Sequence, residues 1–207
     1  MDTLPLDKSS EYQRNKELLL KNFKTTTEIG LKKKTSNLFR ERKIKQSLDL
    51  TSFNKVLTID TTNLYAEVGG TTTYEDFVKE TLRFGCMPAV VPELKSITVG
   101  GAATGIGIES SSFKFGFVHE TIEEVDILLS SGRVVTCTAA NEYKDLFFAF
   151  PNSYGSFGYA LKLKVKLVRV KPYVHVEHKK YSDSKQFFKE MKRYCEKFSW
   201  YDGRGIE

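Results

Sequence analysis

The chain is short of the side chains that build metal centres and disulfide frameworks. Its three cysteines, Cys86, Cys137 and Cys195, are odd in number, far apart and free of CxxC spacing. Such a set argues for buried, reduced thiols rather than bridges. Three histidines, His119, His175 and His178, leave little from which to assemble a metal site. No apolar run approaches the roughly 18–20 residues that cross a bilayer, and the N-terminus lacks an apolar signal core. No integral membrane segment and a cytoplasmic location are therefore expected. GxGxxG is absent too, because Gly105 and Gly107 are followed by Ile108, Glu109 and Ser110, and no GK[ST] occurs. These absences argue against a nicotinamide Rossmann sheet and a P-loop.

What remains is an ordinary globular composition, 40% hydrophobic and 28% charged over 207 residues. The net charge is +6, yet the lysines are interspersed with acids except at Lys32, Lys33 and Lys34 and along Lys162, Lys164 and Lys166. The second set alternates with Leu161, Leu163, Val165 and Leu167, which predicts a strand with one solvated and one buried face. No nucleic-acid signature accompanies the charge, so no nucleic-acid partner is expected.

Periodicity and turn residues predict an amphipathic helix over 10–23 with serine at its start. Short strands follow at 47–50, 56–60 and 64–68, closed by Gly69 and Gly70. Residues 73–84 read as a helix capped by Thr73, with Phe77, Val78 and Leu82 as its apolar face and Gly85 ending it. Residues 87–91 read as a strand. Further on come a strand–turn–strand (125–129, 134–138), a helix over 142–150, and a long strand after Gly155 and Gly158. Beyond Pro172 a strand (173–178) and a helix (184–198) look like the start of another domain. Many short strands with few helices indicate α+β rather than a regular strand–helix relay.

The most unusual stretch is 91–112, VPELKSITVGGAATGIGIESSS. Glycine is costly unless the backbone must approach another group closely or adopt positive φ. Gly100, Gly101, Gly105 and Gly107, with Thr98, Thr104, Ser110, Ser111 and Ser112, offer main-chain N–H groups and hydroxyls to an anion. Thr98 is expected to head a short helix whose free N–H groups and dipole favour phosphate. The stretch is read as a wrap for the pyrophosphate of a dinucleotide. Lys33, Lys34, Thr35, Ser36 and Asn37 are either a solvated loop or a second anion-binding turn. His119 and Glu120 are either a hydrogen-bonded turn or an acid–base pair, and nothing local decides whether Asn152 and Tyr154 face a ligand.

Residues 90–117 (VVPELKSITVGGAATGIGIESSSFKFGF), with NEYKDLFFAF and GSFG further on, resemble the flavin-binding segment of the Δ24-sterol reductases (Diminuto type). That family belongs to the wider vanillyl-alcohol-oxidase group of FAD enzymes. The resemblance covers most of 48–173. It implies a PCMH-type FAD-binding domain: α+β, two subdomains, mixed and antiparallel sheets with flanking helices, spanning 1–171. Residues 172–207 would then begin an incomplete cap domain. By position, Glu93 and Thr98 would lie at the flavin side. Val99, Gly100, Gly101, Thr104, Gly105, Ile106, Gly107, Ile108, Glu109, Ser110 and Ser111 would line the pyrophosphate and ribose. Gly158, Tyr159 and Ala160 would offer backbone contacts, and Lys33, Lys34, Thr35, Ser36 and Asn37 would form the first anion loop. Relatives that link flavin covalently use a histidine in that first loop or a cysteine near the second. This chain has neither, so the FAD is expected to be non-covalent. The implied activity is hydride transfer between a small-molecule substrate carbon and flavin N5, with the catalytic residues unassigned.

Overall fold

The computed structural model describes residues 7–24, 29–32 and 46–197. Helix α1 (Ser9–Asn22) is followed by a two-stranded parallel pair, β1 (Ile29–Leu31) and β2 (Gln46–Leu48). Strands β3 (Val56–Asp60) and β4 (Tyr65–Gly69) form a hairpin closed by Asp60, whose carboxylate accepts the N–H groups of Thr62 and Asn63. Helix α2 (Tyr74–Leu82) and the short β5 (Cys86–Pro88) lead into α3 (Val99–Thr104) and α4 (Ser112–Phe115). Strands β6 (Ile122–Leu128) and β7 (Val134–Thr138) form a second hairpin. Then come α5 (Lys144–Ala149), the long β8 (Tyr159–Arg169) and α6 (Ser184–Lys197). No helix among the described residues is long and apolar enough to cross a membrane.

The main sheet is antiparallel, in the order β3-β4-β8-β6-β7, with β5 pairing to the far end of β8. Strand β8 sits in the middle because its apolar residues Leu163, Val165 and Leu167 are all buried. They join Val68, Phe77, Val99 and Val125 in the larger core, on the side that carries α2 and α3.

The simple alternation expected along β8 does not hold throughout. Its pairing with β6 slips between Asp126↔Lys162 and Ile127↔Ala160, which leaves Leu161 as the extra residue of a bulge. Leu161 consequently joins Tyr12, Phe53, Leu57 and Leu128 in a second core. The lysine face is not simply solvated either. Lys162 is only 15% exposed and pairs with Glu67 at 2.7 Å and Glu124 at 3.3 Å. Its ammonium lies 5.7 Å from the ring centroid of Tyr12. Helix α1 thus docks through a polar seam, where the Tyr12 hydroxyl donates to the buried Asp126 (2.5 Å) and Thr136 donates to the same carboxylate (2.7 Å).

Other differences have local causes. Helix α2 buries Tyr74, Phe77 and Thr81, whereas Leu82 is exposed. The stripe is shifted because Thr81 satisfies its hydroxyl on the carbonyls of Phe77 and Val78 and so can face inward. The strand expected at 173–178 is not formed. Tyr173, Val174 and Val176 are exposed, and a strand without a ladder partner has nowhere to place its backbone bonds. Cys86 and Cys137 are buried and free, as expected, but Cys195 is exposed on α6.

Candidate functional site

The stretch 91–112 is anchored through its first half. Residues 72–74 and 97–99 run antiparallel around a Thr73↔Thr98 bridge, with Tyr74 N–H donating to Ile97 O and Val99 N–H to Thr72 O, both at 2.9 Å. This sets the starts of α2 and α3 side by side. Each has a threonine cap: Thr73 accepts the Asp76 N–H, and Thr98 accepts the Gly101 N–H, both at 3.2 Å.

The first turn of α3 is not open to a ligand, contrary to the expectation for a helix headed by Thr98. Its N–H groups are taken by the chain itself: Val99 by Thr72 O, Gly100 by Gly70 O, and Gly101 by the Thr98 hydroxyl. Gly100 is there for packing. A Cβ on it would lie 2.8 Å from Gly70 O and 3.3 Å from the Ala160 Cβ. Gly70 in turn leaves no room for a side chain, since its Cβ would fall 2.0 Å from Ala160 O. Gly70, which reads in the sequence as a mere strand end, is thus the seat on which α3 rests. Gly101 differs, because an added Cβ would meet only the Thr98 hydroxyl, at 2.9 Å. Apart from the helix's own backbone, nothing else lies within 4 Å of that position.

The free donors lie in the second half. Among the described residues, the N–H groups of Ile106, Ile108, Ser110 and Ser111 have no protein acceptor. Ile106 adopts φ 51°, unusual for a β-branched residue. It turns the chain away from α3 before Gly107 N–H returns to Ala102 O at 3.1 Å. Beside this run is a groove of about 470 Å³ lined by Glu93, Leu94, Ile97, Ile108, Glu109 and Ser110. Burial and the charge of Glu93 hold the Glu109 carboxyl above its ordinary value. Behind them Tyr74 is 1% exposed, its hydroxyl has no partner, and burial and the Glu109 charge push its pKa up.

The structure brings together Glu93, Ile108, Glu109 and Ser110 at one groove. Thr98, Gly101, Thr104 and Gly105 stand on the partly exposed side of α3, and the Thr104 hydroxyl bonds back to Gly100 O. Other expected residues also serve the fold. Val99, Gly158 and Ala160 are buried, and Gly158 faces Leu128 O, where a Cβ would sit 2.3 Å away. The Ser111 hydroxyl is turned inward to Ala89 O at 3.0 Å. Tyr159 is engaged in the sheet opposite Leu128. Lys33, Lys34, Thr35, Ser36 and Asn37 lie outside the described residues.

Leu94 and Ile97 are groove residues that the pattern did not single out, although an exposed leucine between Glu93 and Lys95 was a signal. Tyr74 was invisible, being one more apolar position of a helix. Glu120 accepts the Phe117 N–H at 2.7 Å within a single 3₁₀ turn, the hydrogen-bonded turn of the two alternatives, while the His119 Nδ1 is shielded from solvent without a partner. Tyr154, at φ 48°, packs its backbone on the C-terminal end of α3.

A diphosphate fits this donor set. Four N–H groups with no protein acceptor, followed by serines, provide neutral donors to an anion, and Gly101 leaves a bare backbone beside them. The comparisons with known proteins agree. Over 132 residues the chain is 37% identical to the Δ24-sterol reductase of Pisum sativum, covering 64% of this chain and 23% of that protein. It is 34% identical over 119 residues to the human enzyme, covering 58% and 23%. It is 30% identical over 127 residues to cytokinin dehydrogenase 7 of Oryza sativa subsp. japonica, covering 61% and 24%. The chain thus spans about a quarter of the length of these curated relatives. Among solved structures, 6-hydroxy-D-nicotine oxidase from Arthrobacter nicotinovorans superposes with a TM-score of 0.61 at 25% identity, over 75% of this chain and 34% of that one. Residues 34–138 match the FAD binding domain family, and the chain belongs to that family.

Proposed function

We propose that this chain is the FAD-binding part of a flavin-dependent oxidoreductase of the Δ24-sterol-reductase type, holding its cofactor without a covalent link. Residues 1–171 form the cofactor domain, and 172–207 begin a substrate-binding domain. The observation that carries the reading is the set of four acceptor-free N–H groups, those of Ile106, Ile108, Ser110 and Ser111, beside the Glu93–Glu109 groove. When bound, FAD supplies hydride chemistry at flavin N5, toward a C=C or CH–OH carbon of a small-molecule substrate.

The chain's own part is positioning. Ile106, Ile108 and Ser110 would donate main-chain N–H groups to the diphosphate. Gly101 would admit the cofactor against α3. Leu94, Ile97 and Ile108 would keep water from one wall of the groove. The likeness to cytokinin dehydrogenase and nicotine oxidase supports a second reading, an FAD oxidase acting on another substrate class. A third reading is a flavin-binding module without activity of its own.

Titrating the purified chain with FAD and following flavin absorbance and fluorescence tests the proposal. A saturable spectral change is expected, and the colour should be lost to the supernatant on acid precipitation. A folded sample with no affinity for FAD refutes it. Anaerobic reduction by candidate alkenes or alcohols then separates enzyme from module.

A further inference from the structure

We propose that Glu109, set beside Glu93 in the groove, couples cofactor binding to proton uptake, so that the groove accepts the FAD diphosphate together with a proton held by the Glu109 carboxyl. The inference rests on the reading that FAD occupies the groove, and it adds how that site is regulated.

The geometry sets two acids against an incoming anion. Both line the same groove with Ile108 and Ser110. None of the six residues lining the groove is cationic. Lys95, the nearest lysine in sequence to Glu93, is held by Glu75 at 2.8 Å. The groups that bear on Glu109 are Glu93, from the loop before α3, and Tyr74, from α2. Tyr74 is neutral and its hydroxyl is sealed from solvent without a partner. Burial and the Glu93 charge already favour the protonated form of Glu109 in the free protein. A doubly negative diphosphate, placed on the adjacent N–H run, favours it further. Binding therefore favours the protonated form of Glu109 further, a proton is taken up, and affinity rises as the pH falls.

Calorimetric titration of the full chain with FAD, in two buffers of different ionisation enthalpy, counts the protons exchanged without any variant. Dissociation constants across about pH 5–8 give the slope, expected to reach at most about tenfold tighter binding per pH unit for one proton. Glu109→Gln is expected to flatten that slope and abolish most of the uptake, with Glu93→Gln doing so in part. Circular dichroism checks that both variants are folded. FAD binding with no proton uptake overturns this inference alone. Proton release, with affinity rising as the pH rises, overturns it too, since an ionised Glu109 would then be accepting from a cofactor hydroxyl. No FAD binding at any pH overturns the functional reading and this inference together.

Discussion

Gly100 and Gly101 are neighbours in one motif, yet the structure gives them different tasks, and a pair of alanine substitutions separates them. Each change gains about 0.5–1 kcal/mol from replacing glycine within a helix. At Gly101 the new Cβ meets only the Thr98 hydroxyl, at 2.9 Å. That side chain can rotate away at the cost of its cap, about 1 kcal/mol. The free protein should therefore be nearly unchanged in stability. At Gly100 the Cβ meets the Gly70 carbonyl at 2.8 Å, a backbone atom that cannot rotate away, and the Ala160 Cβ at 3.3 Å. Relief requires α3 to lift from the ends of β4 and β8, stretching the 2.9 Å bond from Gly100 N–H to Gly70 O. Overpacking of this kind costs about 1–3 kcal/mol, so a net loss of up to about 2.5 kcal/mol remains after the helix gain. For a chain of this length that is a fall in Tm of up to about 10 °C. Thermal unfolding followed by circular dichroism without FAD should show the fall for Gly100→Ala only. FAD titration should show weakened binding for Gly101→Ala at an unchanged Tm. Equal Tm values for both variants, with equal loss of FAD, would refute the division of labour.

Tyr12→Phe keeps the edge-on ring contact with Phe53 but removes one of two hydroxyl donors to Asp126, which is 4% exposed. Urea unfolding should show a loss of about 1.5–3 kcal/mol, and a loss below about 0.5 kcal/mol would mean that water replaces the phenol. Glu109→Gln should alter how stability depends on pH in the cofactor-free protein. An acid whose folded pKa stands above its unfolded value makes the native state bind more protons, so stability falls as pH rises from 4.5 through the raised pKa and stays lower above it. The variant should lack that fall and match the parent below pH 4.5, and an identical pH profile for both proteins counts against the burial of Glu109. Thiol labelling of the native chain should modify Cys195 alone. Cys86 and Cys137 are buried, and burial followed by the charge of Asp126 pushes the Cys137 thiol up to about 11. Rapid labelling of a second thiol would contradict this packing.

The features legible in the amino-acid order were those that neighbours along the chain can encode. Thr73 and Thr98 each precede a helix by one residue and accept an N–H three residues on, a contact that local spacing alone prescribes. The alternation from Leu163 to Leu167 announced a buried strand, and the combination PEL, TVGG and GIESSS pointed to FAD through its likeness to the sterol reductases. Which donors of that motif stay free was not legible. It depends on Gly70 O and Thr72 O, some thirty residues upstream, arriving at the first turn of α3 and occupying it. The bulge at Leu161 likewise belongs to the pairing with β6 rather than to β8 itself.

Sequence by itself determined the fold class and the caps of α2 and α3, because periodicity and capping are short-range physics, while the cofactor was legible only through the likeness to the sterol reductases. Tertiary structure decided which glycines are packing seats, which serine turns inward, and where the open N–H run meets two carboxylates. A hydrogen bond or a close approach between distant segments exists only once the chain has closed on itself.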